Sequence, residues 1–181
     1  MLRPLFSIAS ALSLLAPAAA LLATPTQAQP DRCNYYLGDS VLGTPISIDT
    51  DSIVTVSQEG RDFVYCLGDE EIYSRVHCDD REWTTFPERA RHSPQSRTTT
   101  SMVAIACSAP DRAPGIDVGV VHDPPANVFR SPDGDVLCTV GRFSAIATFG
   151  STPDGWTRTD ACNGTTGYVH IDDIRYDEPA P

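Results

Sequence analysis

Apolar and polar residues alternate along several short segments between Cys33 and Ser108, and glycine or aspartate separates each segment from the next. A period of two is typical of strands that bury one face. The pattern therefore predicts a β-rich N-terminal half, in which the segments DFVYCLG and EEIYSRVHC pair as a hairpin. The expected strands are Ile46–Ile48, Ile53–Val56, Asp62–Leu67, Ile72–His77 and Glu82–Phe86.

A helical pattern follows these strands and ends at Cys107. Ser93 is suited to the N-cap, and Pro94 to the first helical position, where a backbone N–H has no partner to lose. Met102 and Ala106 fall on one side of this helix because they are four residues apart. We expect that side to pack on the sheet.

Prolines and glycines are concentrated in residues 109–126, where they interrupt regular structure. This composition predicts a linker. Val118–His122 is an apolar run within it, and is also compatible with a strand at the edge of the module that follows.

From Asn127 to Arg175, short apolar segments are separated by turn signals at near-regular spacing. Such spacing is typical of a small all-β unit. The turn signals are Ser131-Pro132-Asp133-Gly134, Gly150 to Gly155, Asn163-Gly164 and Gly167.

The order of residues in this run resembles that of bacterial SH3-like domains. The resemblance implies a small SH3-like β-barrel over residues 127–176, with a groove for peptides or glycans lined by aromatic side chains near the strand ends. It rests on Asn127, Val128 and Arg130, on Ser131-Pro132, on Asp154-Gly155-Trp156, and on Gly167-Tyr168-Val169-His170.

The N-terminal half resembles, more weakly, small exported modules of the surface-adhesin protein E type. The strings ISIDTDSI, EWTTF and SPQSRTTTSMVAIACS carry this resemblance. It implies a sheet that packs against a helix closed by a disulfide, and we carry over that fold without any activity. The fold class expected overall is mainly β (α+β): an N-terminal antiparallel sheet with one packed helix, then the small SH3-like barrel.

The first 28 residues have the features of a signal peptide: Arg3, an apolar run from Leu5 to Leu22, and a small-residue site that ends at Ala28. An uncleaved membrane anchor is the alternative. We expect cleavage before Gln29, no transmembrane segment afterwards, and a periplasmic or secreted bacterial protein. The expected divisions are 1–28 signal peptide, 29–108 sheet-plus-helix domain, 109–126 linker, 127–176 barrel and 177–181 tail.

The chain has a formal net charge of −11, and all of its 13 basic residues are arginines. A nucleic-acid partner is disfavoured because no basic stripe offsets the acidic field. The excess of acidic residues favours a soluble exported protein.

The six cysteines all lie after residue 28, and an even number in an oxidising compartment predicts three disulfides. The domain boundary leaves Cys138 and Cys162 to pair in the barrel. The four N-terminal cysteines allow three pairings. We favour Cys78–Cys107, because the helix end can reach a neighbouring strand, and that choice leaves Cys33–Cys66.

Catalytic and metal chemistry find little support in the sequence. A cysteine nucleophile needs a free thiol, and each cysteine here has an expected disulfide partner. His77 and Cys78 are adjacent on a strand and so point to opposite faces, which disfavours zinc. Asp49 and Asp51 lack a glycine-centred calcium loop. We expect no catalytic residue, no metal and no cofactor, and hence a protein that is not an enzyme.

Two sets of residues are candidates for binding. Arg89, Arg91 and Arg97 form a basic loop cluster suited to an anion, although they are also suited to neutralise the acidic surface. The resemblance to SH3-like domains implies a ligand groove, with the alternative that Trp156 and Tyr168 only fill a small core. The residues assigned to the groove are Phe129, Arg130, Trp156, Arg158, Tyr168 and His170.

The function expected is therefore that of an exported binding module for cell-envelope material, either peptidoglycan or a peptide of an envelope protein. One alternative is a protein-interaction or adhesin-like role of the N-terminal domain. Another is an accessory or inhibitor subunit of an envelope hydrolase.

Overall fold

A computed structural model describes residues 33–178 of the chain. The predicted signal peptide and the last residues of the predicted tail lie outside this range. The described chain is mainly β, with one α-helix and two antiparallel sheets, as the fold class predicted. No helix in residues 33–178 has the length and apolar composition needed to cross a membrane.

The first sheet has six antiparallel strands that are neighbours in chain order. The predicted hairpin is confirmed, since Leu67 of β3 lies opposite Glu70 of β4. The two strands predicted over residues 46–56 form one long strand, β2, whose register shifts between Asp49 and Val54. At this irregularity Asp49 accepts hydrogen bonds from the backbone N–H groups of Asp51 and Ser52. The strands are β1 (Tyr35–Asp39), β2 (Pro45–Thr55), β3 (Gly60–Leu67), β4 (Glu70–His77), β5 (Glu82–Thr85) and β6 (Ala90–His92).

Helix α1 (Arg97–Ser108) packs on this sheet, and it begins three residues later than the sequence predicted. Its N-cap is Ser96, because Ser96 and Thr99 form a reciprocal capping box through their side chains and backbone N–H groups. Ser93 instead donates a hydrogen bond to Glu82. The buried face of the helix includes Met102 and Ala106, as expected.

The second sheet has seven strands in the order β13-β7-β10-β11-β12-β8-β9. Strand β7 lies within residues 109–126, the segment predicted as a linker, and it pairs with both β10 and β13. It is therefore not an edge strand. The bounds are β7 (Asp117–Val121), β8 (Ala126–Phe129), β9 (Val136–Val140), β10 (Ser144–Ser151), β11 (Trp156–Cys162), β12 (Thr165–His170) and β13 (Ile174–Arg175), with a 3₁₀ turn at Ile171–Asp173.

The second sheet curls strongly. Cys138 of β9 and Cys162 of β11 are joined by a disulfide with a Cα–Cα distance of 5.8 Å, although two strands lie between β9 and β11 in the order of the sheet. Gly167 permits a close approach at the same place, because a Cβ there would lie 2.8 Å from the carbonyl oxygen of Phe129. The strands β11, β12, β8 and β9 therefore wrap round toward one another.

The three disulfides join Cys33 to Cys66, Cys78 to Cys107, and Cys138 to Cys162, which are the pairs favoured by the sequence. The second of them fixes the end of α1 to the end of β4, and the first holds the chain before β1 against β3.

The main hydrophobic core lies between α1, the first sheet and part of the second. Val118 and Val120 of β7 and Ala145 of β10 belong to the same buried cluster as Phe63 and Met102. The chain end returns to the first sheet, where the backbone N–H of Tyr36 donates to the carbonyl of Glu178 at 2.6 Å. A smaller core lies inside the curled sheet and contains residues such as Val121, Val128 and Val169.

Candidate functional site

Three neighbouring strands of the second sheet place aromatic residues on one face. Trp156 of β11 lies opposite His170 of β12, and Tyr168 lies opposite both Arg158 of β11 and Phe129 of β8. Residues that face each other across antiparallel strands share a face, as do residues two apart on one strand. We call Phe129, Trp156, Tyr168 and His170 the aromatic face.

The aromatic face is held together by edge-to-face ring contacts. The ring centroids of Phe129 and Trp156 are 5.3 Å apart at 81°, and those of Trp156 and His170 are 5.1 Å apart at 78°. Such pairs contribute roughly 0.5–1.5 kcal/mol beyond the area they bury. Trp156 is only 8 % exposed and belongs to neither hydrophobic core cluster. Trp156 therefore offers a ligand little surface of its own and mainly supports Phe129 and His170, which it contacts. Phe129, Tyr168 and His170 are half-buried and reach the surface.

His170 has a fixed orientation at the end of β12. Its Nδ1 accepts a hydrogen bond from the backbone N–H of Asp172 at 3.4 Å, and the carboxylate of Asp172 lies 3.3 Å from the same nitrogen. These contacts cap the 3₁₀ turn that follows the strand. The side chain remains 34 % exposed, so part of the ring is open to a ligand.

Arg158 lies beside the aromatic face and is held by Phe149 of β10. Its Nε donates to the carbonyl oxygen of Phe149 at 3.0 Å, and its guanidinium carbon lies 5.4 Å from the centre of the Phe149 ring. Phe149 was not selected from the sequence, although an aromatic residue directly before the turn glycine Gly150 was a usable signal. Arg130 is exposed and follows β8, where its backbone N–H donates to the carbonyl of Asp135.

The arginines of the predicted anion-binding loop have separate surroundings. Arg91 forms ion pairs with Asp80 and Glu82, so its charge is already neutralised. The hydrogen bond with Glu82 is the main cause of the raised pKa of Arg91. Arg97 lies over the ring of Phe143 in the second sheet's β9–β10 turn, and Arg89 is exposed. Arg91 and Arg97 thus have different partners, and a shared anion site for the three arginines stays a prediction.

All six cysteines are in disulfides, so none of them offers a thiol nucleophile. Within residues 33–178, no three His, Cys, Asp or Glu side chains are grouped as metal ligands would be. Comparisons of the chain with known protein families, curated proteins and solved structures found no match. The geometry of the described residues is therefore the basis for inferring a function.

Proposed function

We propose that this protein is a non-enzymatic exported binding protein whose second sheet is an SH3-like barrel, and that the aromatic face binds cell-envelope material, peptidoglycan or a peptide. The observation that carries this proposal is the contiguous set of rings formed by Phe129, Trp156 and His170. Tyr168 of β12, which lies opposite Phe129 of β8, adds a fourth ring to the set.

Several features support an SH3-like arrangement of the second sheet. The resemblance implied a strand that carries the tryptophan directly after an Asp-Gly turn, and β11 begins at Trp156 after Gly155, whose φ is +83°. It also implied a short turn after Gly167–His170, where the 3₁₀ turn lies. The curl that brings Cys138 to Cys162 draws β9 toward β11, as closure of a small barrel requires.

The chemistry of the aromatic face suits an extended ligand with apolar faces and acidic groups. Half-buried rings of Phe129 and Tyr168 offer contact area at a low cost in side-chain entropy. Arg158 lies opposite Tyr168, and Arg130 directly follows Phe129 in the chain. Guanidinium groups bind carboxylates with paired hydrogen bonds. A peptide stem that carries free carboxylates meets both requirements.

The three disulfides are compatible with a periplasmic or extracellular location. A protein whose formal charge is −11 also stays soluble in such a compartment. Both features agree with the proposed exported binding role.

Sedimentation of the purified protein with isolated cell-wall sacculi tests the proposal. We expect the protein to be retained, and Tyr168→Ala to weaken retention about 10-fold, since loss of a central aromatic contact commonly costs this much. Tyr36→Ala is the matched control, because Tyr36 is also a half-buried tyrosine on a strand but lies in the first sheet. Lack of retention of the wild-type protein would defeat the wall-binding proposal, and equal retention of both variants would remove the aromatic face from it.

A further inference from the structure

We propose that the cavity beside α1 is a second binding site, distinct from the aromatic face, and that it takes one anionic amphiphile: a molecule with a single acidic group on an apolar body. The cavity has a volume of about 610 Å³. Ligand sites of small molecules have volumes of roughly 300–1,000 Å³. Neither of the two sequence resemblances assigns a ligand to this place.

One wall of the cavity is a stripe along α1. Arg97, Thr100, Ala104 and Ser108 line it, and their spacing of three or four residues places them on one side of the helix. At 1.5 Å of rise per residue the stripe is roughly 16 Å long. The cavity is therefore elongated along the helix and suits an extended molecule.

The remaining walls are largely apolar. The Cys78–Cys107 disulfide lies on the side of the first sheet, and Phe143 of the β9–β10 turn and Pro124 lie on the side of the second. Val103 contributes apolar surface from α1. The body of a ligand would exchange water for these side chains, which is favourable in proportion to the apolar area that is buried.

Three arginines, Arg81, Arg97 and Arg142, give the cavity its charge. None of the described residues that line it is acidic, and no ion pair within residues 33–178 joins these three guanidinium groups to a carboxylate. Elsewhere in the described chain four arginines are paired with Asp or Glu side chains: Arg75, Arg91, Arg112 and Arg175.

Positive charge gathered in this way stands out in a chain with a formal charge of −11. A cation–π contact with Phe143 holds the Arg97 side chain at the cavity, since the guanidinium carbon lies 5.8 Å from the centre of the ring. Guanidinium groups bind a carboxylate through charge-assisted, paired hydrogen bonds, and a neighbouring apolar wall strengthens these by lowering the local dielectric constant. The charge selects the acidic group of the ligand, and the apolar wall selects its body.

Calorimetric titration with decanoate and decylamine below their micelle concentrations, and with decanol below its solubility limit, tests this site. We expect decanoate to bind one to one and decanol to bind at least about 10-fold more weakly, because it lacks charge-assisted hydrogen bonds. Decylamine should not bind. Equal binding of decanoate and decanol, or no saturable binding of decanoate, overturns the proposal, as does a short acidic peptide that binds in place of decanoate.

Variants locate the site. Arg97→Gln and Arg142→Gln should each weaken decanoate binding about 10-fold. Arg175→Gln is the matched control, since Arg175 is an exposed arginine that does not line the cavity. Equal weakening by Arg175→Gln would show a general charge effect and overturn the proposal.

A variant that changes the shape of the cavity and keeps its three arginines provides a second test. Ala104 is half-buried and lines the cavity, so Ala104→Phe places a large side chain in the cavity and should abolish decanoate binding. An unchanged thermal unfolding midpoint shows that the variant keeps its fold. Tyr168→Ala should leave decanoate binding unchanged, so failure of this site and failure of the aromatic face are distinguishable. Full decanoate binding by a folded Ala104→Phe protein would place the ligand elsewhere.

Discussion

Asp62 on β3 is a buried carboxylate that accepts three hydrogen bonds from β4. The Nε and Nη2 of Arg75 donate at 2.6 Å and 2.9 Å, and the hydroxyl of Tyr73 donates at 2.8 Å. Arg75 lies directly opposite Asp62 in the register of the two strands. The hydrogen bonds from Arg75 are the main cause of a lowered pKa of Asp62, and burial opposes them.

The magnitude of this contribution follows from burial. A hydrogen bond to a charged group contributes about 1.5–3 kcal/mol. Asp62 is 9 % exposed, but the side chain of Arg75 is 42 % exposed, so water screens the ion pair and favours the low end of that range. We expect Asp62→Asn to lower the free energy of unfolding by about 2 kcal/mol at neutral pH, because asparagine keeps the size of the side chain and loses its charge.

The loss should depend on pH in one direction. Because folding lowers the pKa of Asp62, the carboxylate stabilises the fold fully above its usual value of 3.8, and the stabilisation is lost as pH falls through the lower folded value. The wild-type protein and Asp62→Asn should therefore differ most near neutral pH and converge in acid.

Urea unfolding followed by tryptophan fluorescence, repeated along a pH series, measures this difference. Asp69→Asn is the control, because Asp69 is exposed in the β3–β4 turn and its loss should change the free energy of unfolding by less than about 0.5 kcal/mol. The reasoning is refuted if Asp62→Asn is equally destabilising at neutral pH and in strong acid. It is also refuted if Asp62→Asn and Arg75→Gln are additive, since residues in one ion pair should show coupling.

Three further predictions concern packing, titration and the disulfides. Gly167→Ala should lower the free energy of unfolding by about 1–3 kcal/mol, since its Cβ would lie 2.8 Å from a backbone oxygen of β8. Gly141→Ala is the control, because its Cβ would meet no atom within 4 Å, and urea unfolding compares the two variants. Burial, aided by a nearby carboxylate, raises the pKa of Tyr35 to about 12, so stability present below pH 10 should be lost as pH approaches that value, and Tyr35→Phe should remove this loss in alkaline unfolding. Replacing Cys138 and Cys162 together by Ala should cost about 3.4 kcal/mol, because the bridge spans 24 residues; thermal unfolding measures the shift.

Each of these predictions has a contrary result. Equal stability of the two glycine variants would mean that β8 and β12 are less close than described. Tyrosinate absorbance that rises in full near pH 10 would show that Tyr35 is open to water. An unchanged unfolding midpoint after loss of Cys138 and Cys162 would mean that the curl of the second sheet does not need the bridge.

Local patterns were sufficient for most strands and for the hairpin between β3 and β4, because alternation reports which face is buried. The start of α1 was missed, since Ser93-Pro94 competes as a signal with the capping pair of Ser96 and Thr99. In the structure the Ser93 hydroxyl donates a hydrogen bond to Glu82 of β5, and Ser96 caps the helix instead. The sequence near Ser93 does not reveal this contact with another element. Strand β2 was predicted as two segments, because alternation is interrupted where its register shifts between Asp49 and Val54.

The sequence by itself determined the mainly β class, the helix that ends near Cys107 and the favoured cysteine pairs, because these depend on periodicity and on the order of elements along the chain. Only the tertiary structure decided that β7 lies inside the second sheet and that Val118 joins the core of the first. It alone brought Arg81, Arg97 and Arg142 around one cavity. These arginines come from two distant turns and a helix start. A contact between distant segments leaves no trace in local alternation, since it is set by how the packed layers meet.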